Sequence, residues 1–196
     1  MPGAASFSAM TEQNRNHQTD WPALVLRINR ELAVLDEVER SWLKDRLAVI
    51  AATQQQLDEL FARAGGSDAC TGCDGACCGC GRHHLTLTNL LAYLLEGESP
   101  PAPDFNSTCP FLGERGCRLP VDRRPYNCIT FFCEILEDRL APGEREQLRH
   151  LDHQLRSEYQ RVAERYPAAS LRGLWIALER VGNGQLLPPL SKDMLE

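Results

Sequence analysis

Between Trp21 and Phe61 the apolar residues recur at steps of three and four: Leu24, Val25, Ile28, Leu32, Leu35, Val38, Trp42, Leu43, Leu47, Ile50, Leu57 and Leu60. An α-helix returns such positions to one face at every turn, so the period predicts one long helix, or two joined near Ser41. Pro22 suits its first turn and Gly65-Gly66 its end. The stripe is wider than a coiled-coil seam, which favours packing within the chain over dimerisation, and the same helix is the candidate surface for a protein partner. Residues 1–19 are polar and aperiodic and are expected to form a disordered tail.

Further along, LTLTNLLAYLLEG predicts a short helix capped by Thr86 or Thr88 and ended by Gly97. CPFLGERGCRL predicts a small hairpin around Gly113 and Gly116 with a cysteine in each arm. Pro125 suits the first turn of a helix carrying Cys128, Ile129, Phe132, Leu136 and Leu140, which Pro142-Gly143 breaks. One helix then uses Leu148, Leu151, Leu155, Tyr159 and Val162, and another starts at Ser170 and uses Leu171, Leu174, Trp175, Leu178 and Val181. The expected fold is mainly α, with helices around an irregular cysteine-rich centre and at most a small β-hairpin. Four segments follow: the tail over 1–19, a long amphipathic helical segment over 20–66, a cysteine-cluster metal-binding domain over 67–140, and C-terminal helices over 141–196.

Charge and composition narrow the classes. A net charge of −6, with basic residues interleaved among acids, argues against binding driven by nucleic-acid phosphates. The start of the chain lacks a signal-peptide pattern and no segment stays apolar for about 18 residues, so a cytoplasmic protein with no membrane association is expected. In a reducing compartment, closely spaced cysteines point to metal ligands or reactive thiols ahead of structural disulfides, and a total of nine cannot all pair internally.

The densest of them lie in CTGCDGACCGC, from Cys70 to Cys80. A CxxC turn brings two thiolates to one side of a tight loop, and Gly72 and Gly75 let the backbone fold closely around an ion. Adjacent cysteines rarely point the same way, so Cys77 and Cys78 are expected to serve two metal atoms more easily than one. Downstream, Cys109 precedes a loop-stiffening Pro110, and Cys128 falls in a predicted first helical turn, where the dipole favours thiolate. Arg123 and Arg124 stand close enough to offset thiolate charge, or else cap neighbouring carbonyls. Zinc and iron–sulfur clusters both take four cysteines; a thiol–disulfide couple of Cys70 and Cys73 lacks thioredoxin-like βαβ surroundings. His83 and His84 read first as an exposed pair and second as nitrogen ligands, while His150 and His153 read as a solvated face. The cysteine order differs from CxxxCxxC, and GxxxxGK[ST], GxSxG and HExxH are all missing.

CTGCDGACC, then CPFL with a GC whose cysteine is Cys117, then RPYNC, resemble the YkgJ-like cysteine-cluster family, described as a zinc- or iron-chelating domain with CxxCxxxCC, CPxL and RPxxC elements. The resemblance covers Cys70 to Cys133. It implies metal ligation by Cys70, Cys73, Cys77, Cys78, Cys109, Cys117 and Cys128. Where the family commonly continues with an aromatic residue and a proline, this chain has ITFFC, which makes Cys133 a candidate eighth ligand and leaves Cys80 unassigned. The expectation is thus a metal-binding protein holding an iron–sulfur cluster, serving electron transfer or a partner enzyme. A zinc-stapled helical interaction module and an enzyme with an open metal position are the alternatives.

Overall fold

Helix α1 (Ala4–Ala33) starts well before the apolar stripe does. The computed structural model, which describes residues 4–72, 81–114 and 116–189, therefore places a helix where the polar composition predicts a tail. Tertiary anchors hold it at residues 17 and 18. The His17 ring stacks on Trp175 with centroids 3.9 Å apart, and Gln18 Oε1 accepts from the Phe105 amide at 3.2 Å. Pro22 consequently lies inside the helix rather than in its first turn.

The stripe itself is core. Trp21, Leu24, Ile28 and Leu32 are buried on α1, and Leu43, Leu47, Ile50, Leu57 and Leu60 are buried on α2 (Glu37–Arg63). The break between the helices falls at residues 34–36 rather than at Ser41, because Asp36 caps α2 by accepting from the Glu39 amide at 2.8 Å. Most of the face expected to meet a partner is thus covered by the chain's own core, and Leu26, Val34 and Val38 are the large apolar side chains that this region exposes.

Short helix α3 (Gly66–Gly72) follows, then α4 (Leu87–Leu94), whose every residue is buried. Strands β1 (Leu112–Gly113) and β2 (Gly116–Cys117) make the expected antiparallel hairpin, with Leu112 opposite Cys117. Cys117 lies on β2, whereas Cys109 precedes β1. The single helix predicted after Pro125 is two: α5 (Tyr126–Thr130) and α6 (Glu134–Arg139). The chain turns extended at Phe131, so that Phe132 enters the core edge-on to Phe61, with centroids 5.9 Å apart.

Helix α7 (Pro142–Arg165) packs along α2 and is the main partner of that helix. Leu151, Leu155, Tyr159 and Val162 supply its buried face, at the three- and four-residue steps of a helix. Charges seal the seam. Glu39, 5% exposed, meets Arg165 and the Tyr166 hydroxyl, and Glu158 meets Arg46 at 3.0 Å. Helix α8 (Leu174–Val181) starts four residues later than Ser170 suggests, after a turn through Gly173.

The chain's last described stretch returns to α1. Glu31 Oε2 accepts from the amides of Leu186 at 2.7 Å and Leu187 at 2.8 Å. Arg27 donates to Glu31 Oε1 at 3.0 Å and to the carbonyls of Gly182 and Gly184. Among the described residues the architecture is mainly helical, with one small antiparallel sheet, and no helix is long and apolar enough to cross a membrane.

Candidate functional site: the Cys128–His84 pair

Asn89 holds together the elements that carry this site. It is 2% exposed at the third position of α4. Its Oδ1 accepts from the Thr86 amide at 3.0 Å and the Thr86 hydroxyl at 2.8 Å, which fixes the start of the helix. Its Nδ2 faces the carbonyls of Arg123 (3.3 Å) and Arg124 (3.1 Å) and the Tyr159 hydroxyl (3.0 Å). Gln54, fully buried on α2, donates to the same Arg124 carbonyl. Two helices thereby pin the backbone just ahead of α5, and with it Pro125, whose carbonyl accepts from the Cys128 amide at 2.9 Å.

Cys128 is exposed on α5. Its Sγ lies 3.3 Å from Nδ1 of His84, across 44 residues of sequence. The segment bearing His84 is fastened from both sides: the His84 amide donates to Gly81, and the Leu174 amide of α8 donates to Leu85 at 2.7 Å. Gly173 lets these backbones meet, since its φ of +93° is reserved in practice for glycine and a Cβ there would sit 2.2 Å from the His83 carbonyl oxygen. Burial, and then the neighbouring His83, hold the His84 imidazole below its ordinary pKa. The ring is therefore neutral at neutral pH. In the tautomer that carries its proton on Nε2, Nδ1 is an acceptor for the thiol.

The other thiols are placed differently. Cys109 is buried against Gly81, and burial pushes its thiol up, offset in part by the Phe111 amide. It stays protonated. Cys117 is exposed on β2, Cys133 is half-buried at the N-cap of α6, and Cys70 is half-buried in α3. Cys73, Cys77, Cys78 and Cys80 lie outside the described residues. The arginines expected near thiolates are engaged elsewhere. Arg123 lies over the Tyr93 ring and beside Asp122 and Glu98, while Arg124 reaches Asp58 at 3.4 Å and the Leu119 carbonyl.

This arrangement corrects the metal-binding reading. Among the described residues no group of three or more His, Cys, Asp or Glu is placed to hold a metal ion. Cys70, Cys109, Cys117, Cys128 and Cys133 stand on five separate pieces of chain with different exposures. The expected iron–sulfur protein, the zinc-stapled module and the metal-dependent enzyme all required such a group. Among the described residues the fold does bring the Cys128 thiol within 3.3 Å of the His84 imidazole. His150 and His153 are exposed on α7, as a solvated face requires.

No family model, curated protein or solved structure matches the chain. The resemblance to the YkgJ-like family therefore stands on its motif residues alone.

Proposed function

We propose that the chain is a thiol-exchange protein in which Cys128 is the nucleophile and His84 its proton acceptor. The observation that supports this most directly is the 3.3 Å approach of Nδ1 to Sγ at an exposed cysteine. A thiol is a weak nucleophile until its proton leaves, and an imidazole within hydrogen-bond reach of sulfur supplies the path. The substrate class is a disulfide. Sγ attacks one sulfur, its proton passes to Nδ1, and the departing thiolate takes that proton back. Cys128 is left in a mixed disulfide and one equivalent of thiol is released, with no external oxidant.

The test is the rate at which 4,4′-dithiodipyridine modifies each cysteine of the full chain, with sites assigned by mass spectrometry. Cys128 should react faster than Cys117, which is also exposed but lacks a described imidazole beside it. His84→Ala should slow Cys128 by about tenfold or more, and leave Cys117 unchanged. An unchanged Cys128 rate in that variant, or a faster Cys117, would refute the assignment.

A further inference from the structure

Helix α5 has two sides. It buries Tyr126 and Ile129 and turns Asn127 and Cys128 to solvent. Phe131, three residues beyond the thiol, returns to the side that carries Cys128. The chain is extended there, with φ −77° and ψ 110°, and successive side chains of extended backbone point opposite ways. Phe132 enters the core, so Phe131 faces out and is 54% exposed. It is the one aromatic group among the large apolar side chains that the described residues expose, and Ile135, in the first turn of α6, is exposed as well.

The fold itself does not use this ring. The turn at 131 is held by Phe132 against Phe61, and a polar side chain at 131 would serve it equally. The charges that follow are acidic: α6 carries Glu134, Glu137 and Asp138 at exposed positions. Its one base, Arg139, is turned to the carbonyls of Ala64 (3.2 Å) and Gly65 (3.5 Å). On α7, Arg156 lies over the Tyr126 ring and Asp152 meets the Tyr126 hydroxyl, so those two charges offset each other. The exposed thiol is thus followed by an aromatic ring and then by carboxylates.

We propose that the disulfide attacked by Cys128 belongs to a polypeptide and is flanked there by an apolar residue, whose side chain covers Phe131. The proposal rests on thiol exchange at Cys128 and makes Phe131 a specificity-determining residue of that site. A polypeptide brings an apolar side chain within one residue of its sulfur, and covering the ring removes apolar surface from water as the two sulfurs meet. A small anionic disulfide, such as that of glutathione, has no apolar group to set on the ring and is repelled by the carboxylates of α6.

The experiment compares the rates at which Cys128 of the full chain reacts with three activated disulfides that share one leaving group: the 2-pyridyl disulfides of acetyl-leucyl-cysteinyl-leucine amide, of acetyl-seryl-cysteinyl-serine amide and of glutathione. In each, Sγ bonds to the peptide sulfur, the old S–S bond breaks and 2-thiopyridone leaves with the thiol proton. Absorbance gives the rate and mass spectrometry the site. The leucine peptide should react about fivefold faster than the serine peptide or more, with the glutathione derivative slowest. Phe131→Ser should bring the leucine-to-serine ratio close to unity. Phe131→Leu, which keeps an apolar group, should retain most of it, and Val38→Ser, at an exposed position of α2, should leave it unchanged. His84→Ala separates the two readings, because it should slow all three disulfides alike and preserve their ratios. Equal rates for the two peptides with the His84 effect intact overturn the specificity and keep thiol exchange; loss of the His84 effect overturns thiol exchange and the proposal with it. A ratio that survives Phe131→Ser, or a glutathione derivative as fast as the leucine peptide, also overturns the proposal.

Discussion

Gly173→Ala is expected to destabilise the protein by about 3 kcal/mol and, in the same stroke, to slow disulfide attack at Cys128. Two costs combine. The backbone at Gly173 has φ +93° and ψ 150°, a region that side-chain-bearing residues avoid. The added Cβ would also lie 2.2 Å from the His83 carbonyl oxygen, a backbone atom that cannot rotate away. Relief requires the segment 83–85 to move off α8, against the Leu174–Leu85 hydrogen bond of 2.7 Å. His84 moves with it. Urea unfolding of the variant measures the first effect and the modification rate of Cys128 the second. A wild-type midpoint would mean that the loop and helix do not meet as described.

Asn89→Asp should cost a similar amount, about 3 kcal/mol at neutral pH, although it changes one group. The new carboxylate keeps the acceptor for Thr86 but loses both amide donors. It would then face two carbonyl oxygens and a buried Tyr159 hydroxyl. Burial and those carbonyls raise the folded-state pKa of the new carboxyl above its unfolded value of about 3.9. The sign follows from linkage: the folded state takes up the proton more readily than the unfolded state, so the deficit relative to wild type shrinks as pH falls and is largest above the raised pKa. Denaturation curves of both proteins between about pH 4 and pH 7 would show this. A deficit independent of pH would indicate that the side chain at 89 has reached solvent.

The helices were legible because their burial repeats locally. Leu43, Leu47, Ile50, Leu57 and Leu60 announce α2, and Leu151, Leu155, Tyr159 and Val162 announce α7, without reference to anything distant. The hairpin was legible from Gly113 and Gly116. What could not be read depends on contacts between remote segments. At the polar positions 17 and 18 of helix α1, His17 meets Trp175 and Gln18 meets Phe105, both far along the chain. Residues 126–139 split into two helices because Phe132 turns toward Phe61.

The site divides in the same way. Cys128 was marked by its place in a first helical turn, but the metal reading grouped it with other cysteines by sequence motif. Its partner His84, 44 residues away, read as one of an exposed pair. The signal that could have drawn attention to it is the spacing of Thr86 and Asn89, which fixes the helix start two residues after His84.

The grip of Glu31 and Arg27 on residues 182–187 also bears on how the protein is made. The two sides of that clasp are 155 to 157 residues apart. Helix α1 leaves the ribosome before the groups that fasten it, which emerge 155 residues later. Trp21 meets Phe105 and Phe111 well before that point, whereas Glu31 still waits for its partners. Closing such a long loop carries a larger entropy cost than any neighbouring-helix contact, so it is the natural late step of assembly. Synthesis from the N-terminus therefore leaves α1 without this fastening until residues 182–187 have been made.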